Sequence, residues 1–194
     1  MKHICRKLYH LIGGVGLLLV YYILGRDQAL YFYAFFFFIV LGIDILRLRV
    51  PAVKRFFIKK FSSFIRKNEE HKLTGTAPYI LGIGISLYAY STDIATAAVC
   101  FLIFGDVAAT TIGERYGRTK MKGKSLEGTT AFIFTALAAG LMLSFFVIDL
   151  IPVVMVFGVL VAAGVEILPL PVNDNFSIPI LSGAAMELLM YWIK

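Results

Sequence analysis

QALYFYAFFFFIVLGIDILRL, residues 28–48, carries only Asp44 and Arg47 as charged groups. A bilayer core of about 30 Å is crossed by roughly 17 to 25 helical residues, so this segment reads as a transmembrane helix. Working outward, comparable runs lie near 9–25, 76–92, 93–112, 128–148, 150–168 and 177–193. The expected fold is an all-α, polytopic membrane bundle of about seven transmembrane helices, forming one membrane-embedded domain over 1–194. Composition agrees: 59% of the residues are hydrophobic and 16% charged, against roughly 25% charged in soluble domains. Cys5 precedes one apolar run and Cys100 lies inside another, which suits free thiols better than a disulfide framework. Lys2, Arg6 and Lys7 ahead of an apolar stretch imitate a signal peptide. With no small-residue cleavage site followed by a soluble region, a retained first span is expected.

Orientation follows from the basic residues. With the N-terminus inside, Lys2, Arg6 and Lys7 share a face with the cluster from Arg47 to Lys72 and with Arg115, Arg118, Lys120, Lys122 and Lys124. Only Arg26 and Lys194 of the 19 basic residues remain outside. The net charge of +7 is then a loop bias and an affinity for anionic surfaces or substrates, not a nucleic-acid signal. Between Arg49 and His71, Val53, Phe56, Phe57, Phe61, Phe64 and Ile65 interleave with Lys54, Arg55, Lys59, Lys60, Arg66 and Lys67. That pattern predicts an amphipathic helix in the membrane interface, either a positive-inside anchor or a gate for lipid entry.

Acidic residues inside spans are costly and face the bundle interior. Asp44, Asp106, Glu166 and Glu187 qualify, although Arg47 at i+3 gives Asp44 a simple structural partner. The loop GDVAATTIGERYGRTKMKGKSLEG, Gly105–Gly128, joins Asp106 to Gly113, Gly117 and a run of basic residues. Glycines permit close backbone approach, cations neutralise phosphate, and a rim carboxylate holds Mg²⁺; together they suit a nucleoside triphosphate. The plainer alternative is a positive-inside loop whose Ser125 and Glu127 cap the next helix. GRTKMKGKS, Gly117–Ser125, has the wrong glycine spacing and no preceding strand for a P-loop. Arg6, Lys7 and His10 lie within one helical turn, as a phosphate-facing set or as a snorkelling anchor. In PVNDNFSIP, Pro171–Pro179, Asp174 and Asn175 are hard-oxygen ligands suited to Mg²⁺. His3, His10 and His71 show no zinc spacing, and no hydrolase elbow is present.

These residues resemble, through nearly the whole chain, the CTP-dependent lipid kinases that include dolichol kinase, phytol kinase and the yeast-type diacylglycerol kinase; more distantly the chain is similar to CDP-diacylglycerol synthases. The matching positions are Arg6-Lys7-x-x-His10, Asp44-x-x-Arg47, Glu70-x-Lys72-x-x-Gly75, Gly105-Asp106 with Gly113 and Gly117, Lys124-Ser125-Leu126-Glu127-Gly128, and Glu166 followed by Asp174-Asn175 and Ile178-Pro179. The long eukaryotic dolichol kinases have extra spans that this sequence lacks.

The resemblance implies transfer of the γ-phosphoryl group of CTP, with Mg²⁺, to a polyprenol, a phytol-like isoprenoid alcohol or diacylglycerol at the cytoplasmic face of the bilayer. On that reading Asp106, Lys124, Glu127 and His10 are catalytic. Arg6, Lys7, Gly105, Gly113, Arg115, Gly117, Arg118, Lys120, Lys124, Ser125 and Asn175 meet the nucleotide. Asp44, Arg47, Lys72 and Glu166 meet the lipid, and Asp106, Asp174 and Asn175 hold the metal. Two other functions stay open at this point: a phosphatidate cytidylyltransferase using the same loop, and a small transporter or lipid scaffold built on the intramembrane carboxylates.

Overall fold

A computed structural model describes residues 4–61, 69–121 and 123–193. Each predicted apolar run is helical. In chain order the helices are α1 (Ile4–Leu24), α2 (Arg26–Arg49), α3 (Pro51–Phe61), α4 (Thr76–Ala89), α5 (Thr92–Cys100), α6 (Asp106–Tyr116), α7 (Leu126–Phe146), α8 (Pro152–Ile167) and α9 (Asp174–Ile193). A two-residue-per-strand hairpin, β1 (Lys120–Met121) and β2 (Lys124–Ser125), pairs Lys120 with Ser125 and Met121 with Lys124. Gly123 in its turn has φ +95°, a conformation that glycine adopts without a Cβ penalty. Sequence periodicity gives no warning of so short a ribbon.

Among the described residues, five helical stretches are long and apolar enough to cross a bilayer: Cys5–Leu24, Arg26–Arg49, Thr92–Tyr116, Leu126–Phe146 and Asp174–Ile193. Thr76–Ala89 and Pro152–Ile167 are apolar but shorter. Large apolar side chains such as Tyr31, Phe35 and Phe38 on α2 and Phe145 and Phe146 on α7 are strongly exposed. A surface of that kind is a lipid-facing surface, and the chain is a membrane protein.

Contacts gather the chain into two units, Met1–Gly84 and Ile85–Lys194. In the first, Gly25 at φ +80° turns α1 into α2. Val50 is extended at φ −110°, as the residue before a proline prefers, and Pro51 then starts α3 at a position where its missing N–H is harmless. Helix α3 has no buried residue, and the ammonium of Lys60 lies 5.9 Å from the Phe56 ring centroid. The first half of the predicted amphipathic stretch is thus helical; Phe64, Ile65, Arg66 and Lys67 lie outside the described residues.

In the second unit, α5 runs into α6 through a π turn, Phe101–Gly105, so that Thr92–Tyr116 is one continuous rod. Phe101, Phe132, Val159, Ile178 and Met186 are fully buried and form its core. Glycines let the helices close on one another: a Cβ at Gly105 would stand 2.7 Å from the Phe132 ring, and one at Gly158 would meet the Met186 sulfur. The carboxylate of Glu187 accepts the backbone N–H of Ser91 at 2.5 Å, just ahead of α5. That is an anion at a helix N-terminus, which the dipole favours, and it gives this intramembrane acid a structural task. Beside it, the Tyr90 hydroxyl donates to the Ile180 carbonyl at 2.7 Å.

Candidate active site: a pinned lysine and a buried ion network

Ser125 begins the site. Its side chain accepts the Gly128 N–H at 3.1 Å and caps α7, as the sequence suggested. The glycines around it serve helix packing. A Cβ at Gly113 would lie 2.8 Å from Ser125 Oγ, one at Gly117 would lie 2.7 Å from the same atom, and one at Gly128 would lie 2.7 Å from the Ala109 carbonyl. Real Cβ atoms do not approach so closely, so the glycine pattern lets α6 and the start of α7 lie nearly in backbone contact. Glu127 accepts the backbone N–H of Thr119 at 3.0 and 3.3 Å, tying the loop before β1 to the first turn of α7.

Because β2 leads straight into that cap, Lys124 is delivered to the gap between the end of α8 and the start of α9. Its ammonium is 2.6 Å from Asp174 Oδ2 and 3.2 Å from Glu166 Oε1, and it also donates to the Glu166 carbonyl. Glu166 is buried, and its other oxygen accepts from the Thr129 hydroxyl at 2.9 Å. Burial alone would lower the Lys124 pKa, but the hydrogen bond and charge of Asp174, joined by Glu166, outweigh it and hold the pKa above the usual lysine value. Lys124 is therefore a fixed cation shared by two carboxylates. Asn173 starts α9, its side chain accepting the N–H of Asn175 at 3.0 Å, which fixes the turn that presents Asp174. Arg115 in the last turn of α6, Arg118 after it and Lys120 in β1 form an exposed basic rim, Arg115 lying 5.2 Å from the Tyr116 ring centroid. Asp106 opens α6 directly after the π turn and is half-buried.

The N-terminal unit holds a second polar cluster. Arg47 is completely buried. It donates to Asp44 Oδ1 at 3.0 and 3.2 Å, to the Glu69 carbonyl at 2.9 Å and to the Lys72 carbonyl at 2.6 Å. Asp44 Oδ2 accepts both the N–H and the hydroxyl of Thr74 at 2.8 Å. Arg6 pairs with Glu69 at 3.0 Å, and Glu69 also accepts the Gly75 N–H at 3.2 Å. His10 is buried, its ring 4.7 Å from that of Tyr79, and its carbonyl accepts the Tyr79 hydroxyl at 2.8 Å.

The candidate residues thus sort into two groups. Arg6, His10, Asp44 and Arg47 come together in the first unit. Lys7 is half-buried there, and Lys72 takes part through its carbonyl while its side chain stays exposed. Lys124, Ser125, Asp174 and Asn175 come together in the second. Glu166, grouped with Asp44 and Arg47 in the sequence reading, is held by Lys124 and Thr129. Sequence reasoning missed Glu69, Thr74 and Thr129. Glu69 is an acid inside a strongly basic segment, and that contrast was its available signal.

Neither a family model nor a solved structure matches this chain. It is 28% identical, over an alignment of 219 positions, to CTP-dependent diacylglycerol kinase 1 of Saccharomyces cerevisiae, with 100% of this chain and 76% of that protein covered. It is 26% identical over 175 positions to the protein of the same name from Eremothecium gossypii, covering 78% of this chain and 55% of that one. An uncharacterised protein of Rickettsia prowazekii is 26% identical over 148 positions, covering 73% of this chain and 72% of its own length. One of these matches runs from end to end of the sequence, and the chain is thus similar over its whole length to a protein named CTP-dependent diacylglycerol kinase.

Proposed function

We propose that this protein transfers the γ-phosphoryl group of CTP to the hydroxyl of a membrane lipid alcohol, with diacylglycerol as the first acceptor to test. The observation that carries this reading is Lys124, pinned by Asp174 and Glu166 beside the exposed rim of Arg115, Arg118 and Lys120. Phosphoryl transfer asks a protein chiefly for positioning and for neutralisation of charge. The rim receives the triphosphate, and Lys124 exchanges part of its carboxylate contact for phosphate oxygens. The lipid oxygen bonds to the γ-phosphorus as the bond from that phosphorus to the β–γ bridging oxygen breaks. CDP leaves, and the hydroxyl proton passes to a carboxylate.

Asp106 and Glu127 are the carboxylates proposed as proton acceptor; the Glu127 oxygens also hold the Thr119 amide. Among the described residues no group of three or more His, Cys, Asp or Glu side chains is arranged to hold a metal ion. Mg²⁺ binds through one or two carboxylates plus substrate phosphates and keeps several waters. Asp106, Asp174 and Asn175 are the hard-oxygen donors that would hold such an ion, which would neutralise phosphate charge.

The positive-inside pattern supports a cytoplasmic N-terminus and hairpin, with the C-terminus outside. In that topology α4 and α8, with 14 and 16 residues, complete seven crossings. The deciding experiment gives purified protein in detergent, with Mg²⁺, CTP labelled at either the α or the γ phosphorus, and diacylglycerol, polyprenol, phytol or phosphatidate. Label from the γ position in the lipid supports the kinase. Label from the α position would instead establish cytidylyl transfer.

A further inference from the structure

The N-terminal unit encloses a cavity of about 340 Å³ bordered by α1, α2, α3 and the segment 69–76. That volume is within the range of small-ligand sites, roughly 300–1,000 Å³. Its walls differ in character. One side is apolar, with Val40 and Ile43 from α2 and Phe57 and Phe61 from the interfacial helix α3. The other carries Arg6, His10, Asp44, Arg47, Glu69 and Thr74. Arg6, His10, Asp44, Arg47 and Glu69 are each more than nine-tenths buried.

The charges of this polar wall cancel. Arg6 is paired with Glu69 and Arg47 with Asp44, both at 3.0 Å. A phosphate entering here would face both carboxylates, and the two arginines among the described lining residues are each already bound to one. An uncharged headgroup meets no such opposition, and a hydroxyl oxygen that donates its proton elsewhere still accepts from an O–H donor. The Thr74 hydroxyl gives its proton to Asp44, which leaves its oxygen as an acceptor. Apolar walls on one side and a charge-paired wall carrying the Thr74 hydroxyl on the other suit an amphipathic ligand whose polar end is small, uncharged and hydroxylic. We infer that this cavity is the seat of the lipid alcohol, its hydroxyl end against Arg6, His10 and Thr74 and its first chain carbons against Ile43, Phe57 and Phe61.

This inference rests on the lipid-kinase reading for the identity of the alcohol, but its test does not require turnover. Full-length protein in detergent micelles is photolabelled with a diacylglycerol bearing a diazirine near the glycerol, and the adducts are mapped by mass spectrometry. Adducts on α2, α3 or residues 69–76, competed by unlabelled diacylglycerol and at least about tenfold less by phosphatidate, are the expected result. Val40→Trp and Ile43→Trp, which fill the cavity from different positions, lower the labelling about tenfold, as blocking a preformed pocket should. Phe38→Trp, on the lipid-exposed surface of α2, leaves it unchanged. In the transfer assay the two cavity variants raise KM for the lipid while KM for CTP moves less than about twofold, the signature of lost substrate binding. Adducts confined to α7–α9, equal competition by phosphatidate, or full labelling of both filled variants would overturn the site even if γ-phosphate transfer is found. Specific labelling in a protein that transfers no phosphate would preserve the site and remove the kinase reading.

Discussion

Replacing Lys124 with Met keeps the length of the side chain and removes its charge. At 3.2 Å from Glu166 and an effective dielectric of about 20, the attraction lost is about 5 kcal/mol before any desolvation is counted. Desolvation of the ammonium and of Glu166 offsets much of it. Removing one partner of a fully buried pair costs about 3–5 kcal/mol. Lys124 is 28% exposed and Asp174 31%, so a net loss nearer 2 kcal/mol is expected by the same reasoning. For a chain of this size that lowers Tm by about 4–8 °C. Activity should fall further than stability: removing one group that stabilises transition-state charge costs about 10²–10³ in kcat. Lys124→Arg keeps the charge in a different shape and is expected to lose about tenfold.

The alkaline limb of the stability curve supplies an independent reading of the same cluster. The folded-state pKa of Lys124 lies above its ordinary 10.5, so its stabilisation is complete below that pH and is lost as pH rises through the raised value. Lys124→Met should remove this part of the alkaline loss. The assay is γ-phosphate transfer at saturating CTP at a temperature where both proteins are folded, paired with thermal unfolding from pH 7 to pH 11. A Lys124→Met enzyme that keeps kcat/KM within about twofold of the parent would refute the placement of the lysine in the site.

Gly105→Ala drives a methyl group into the Phe132 ring, 2.7 Å away, and should lower stability by about 1–3 kcal/mol; Phe132→Leu in the same chain should recover part of it, as thermal unfolding will show. Gly16→Ala, where nothing lies within 4 Å, should be neutral or slightly stabilising. Arg47→Met strands Asp44 in the interior and is expected to cost about 3–5 kcal/mol, whereas adding Asp44→Asn should return a measurable part of that in the same unfolding assay. Ser125→Ala removes the α7 cap and should cost about 1 kcal/mol in denaturation, while KM for CTP stays near the parent value if Ser125 acts through packing and not through phosphate.

What the sequence made legible was local. The helices follow from long apolar runs, the Asp44–Arg47 pair from its i,i+3 spacing, and the α7 cap from Ser125. The long-range pairings were not legible. Lys124 meets Asp174 across 50 positions and Arg6 meets Glu69 across 63, and no spacing rule links residues on different helices. The glycines of the Gly105–Gly128 loop invited a phosphate-cradling reading because close approach looks alike whether the neighbour is a nucleotide or another helix. Only the position of Ser125 between Gly113, Gly117 and Gly128 distinguishes the two. Glu187 resisted a sequence account for the same reason: the amide it caps is 96 residues away.

The π turn at Phe101–Gly105 makes the rod from Thr92 to Tyr116 a helix out of phase with itself. Each residue of an α-helix advances about 100° around the axis, so one residue accommodated in a wide turn offsets everything beyond it by about that angle. Asp106 and Gly113, seven apart, share one stripe of α6 that Gly117 follows directly after the last turn, and the offset sets that stripe's azimuth independently of the apolar half. Deleting one residue between 101 and 105 would leave a regular helix of the same hydrophobicity that still crosses the bilayer. Its glycines would no longer meet Ser125, and Asp106 would turn with them, so insertion into the membrane would survive while the site was dismantled.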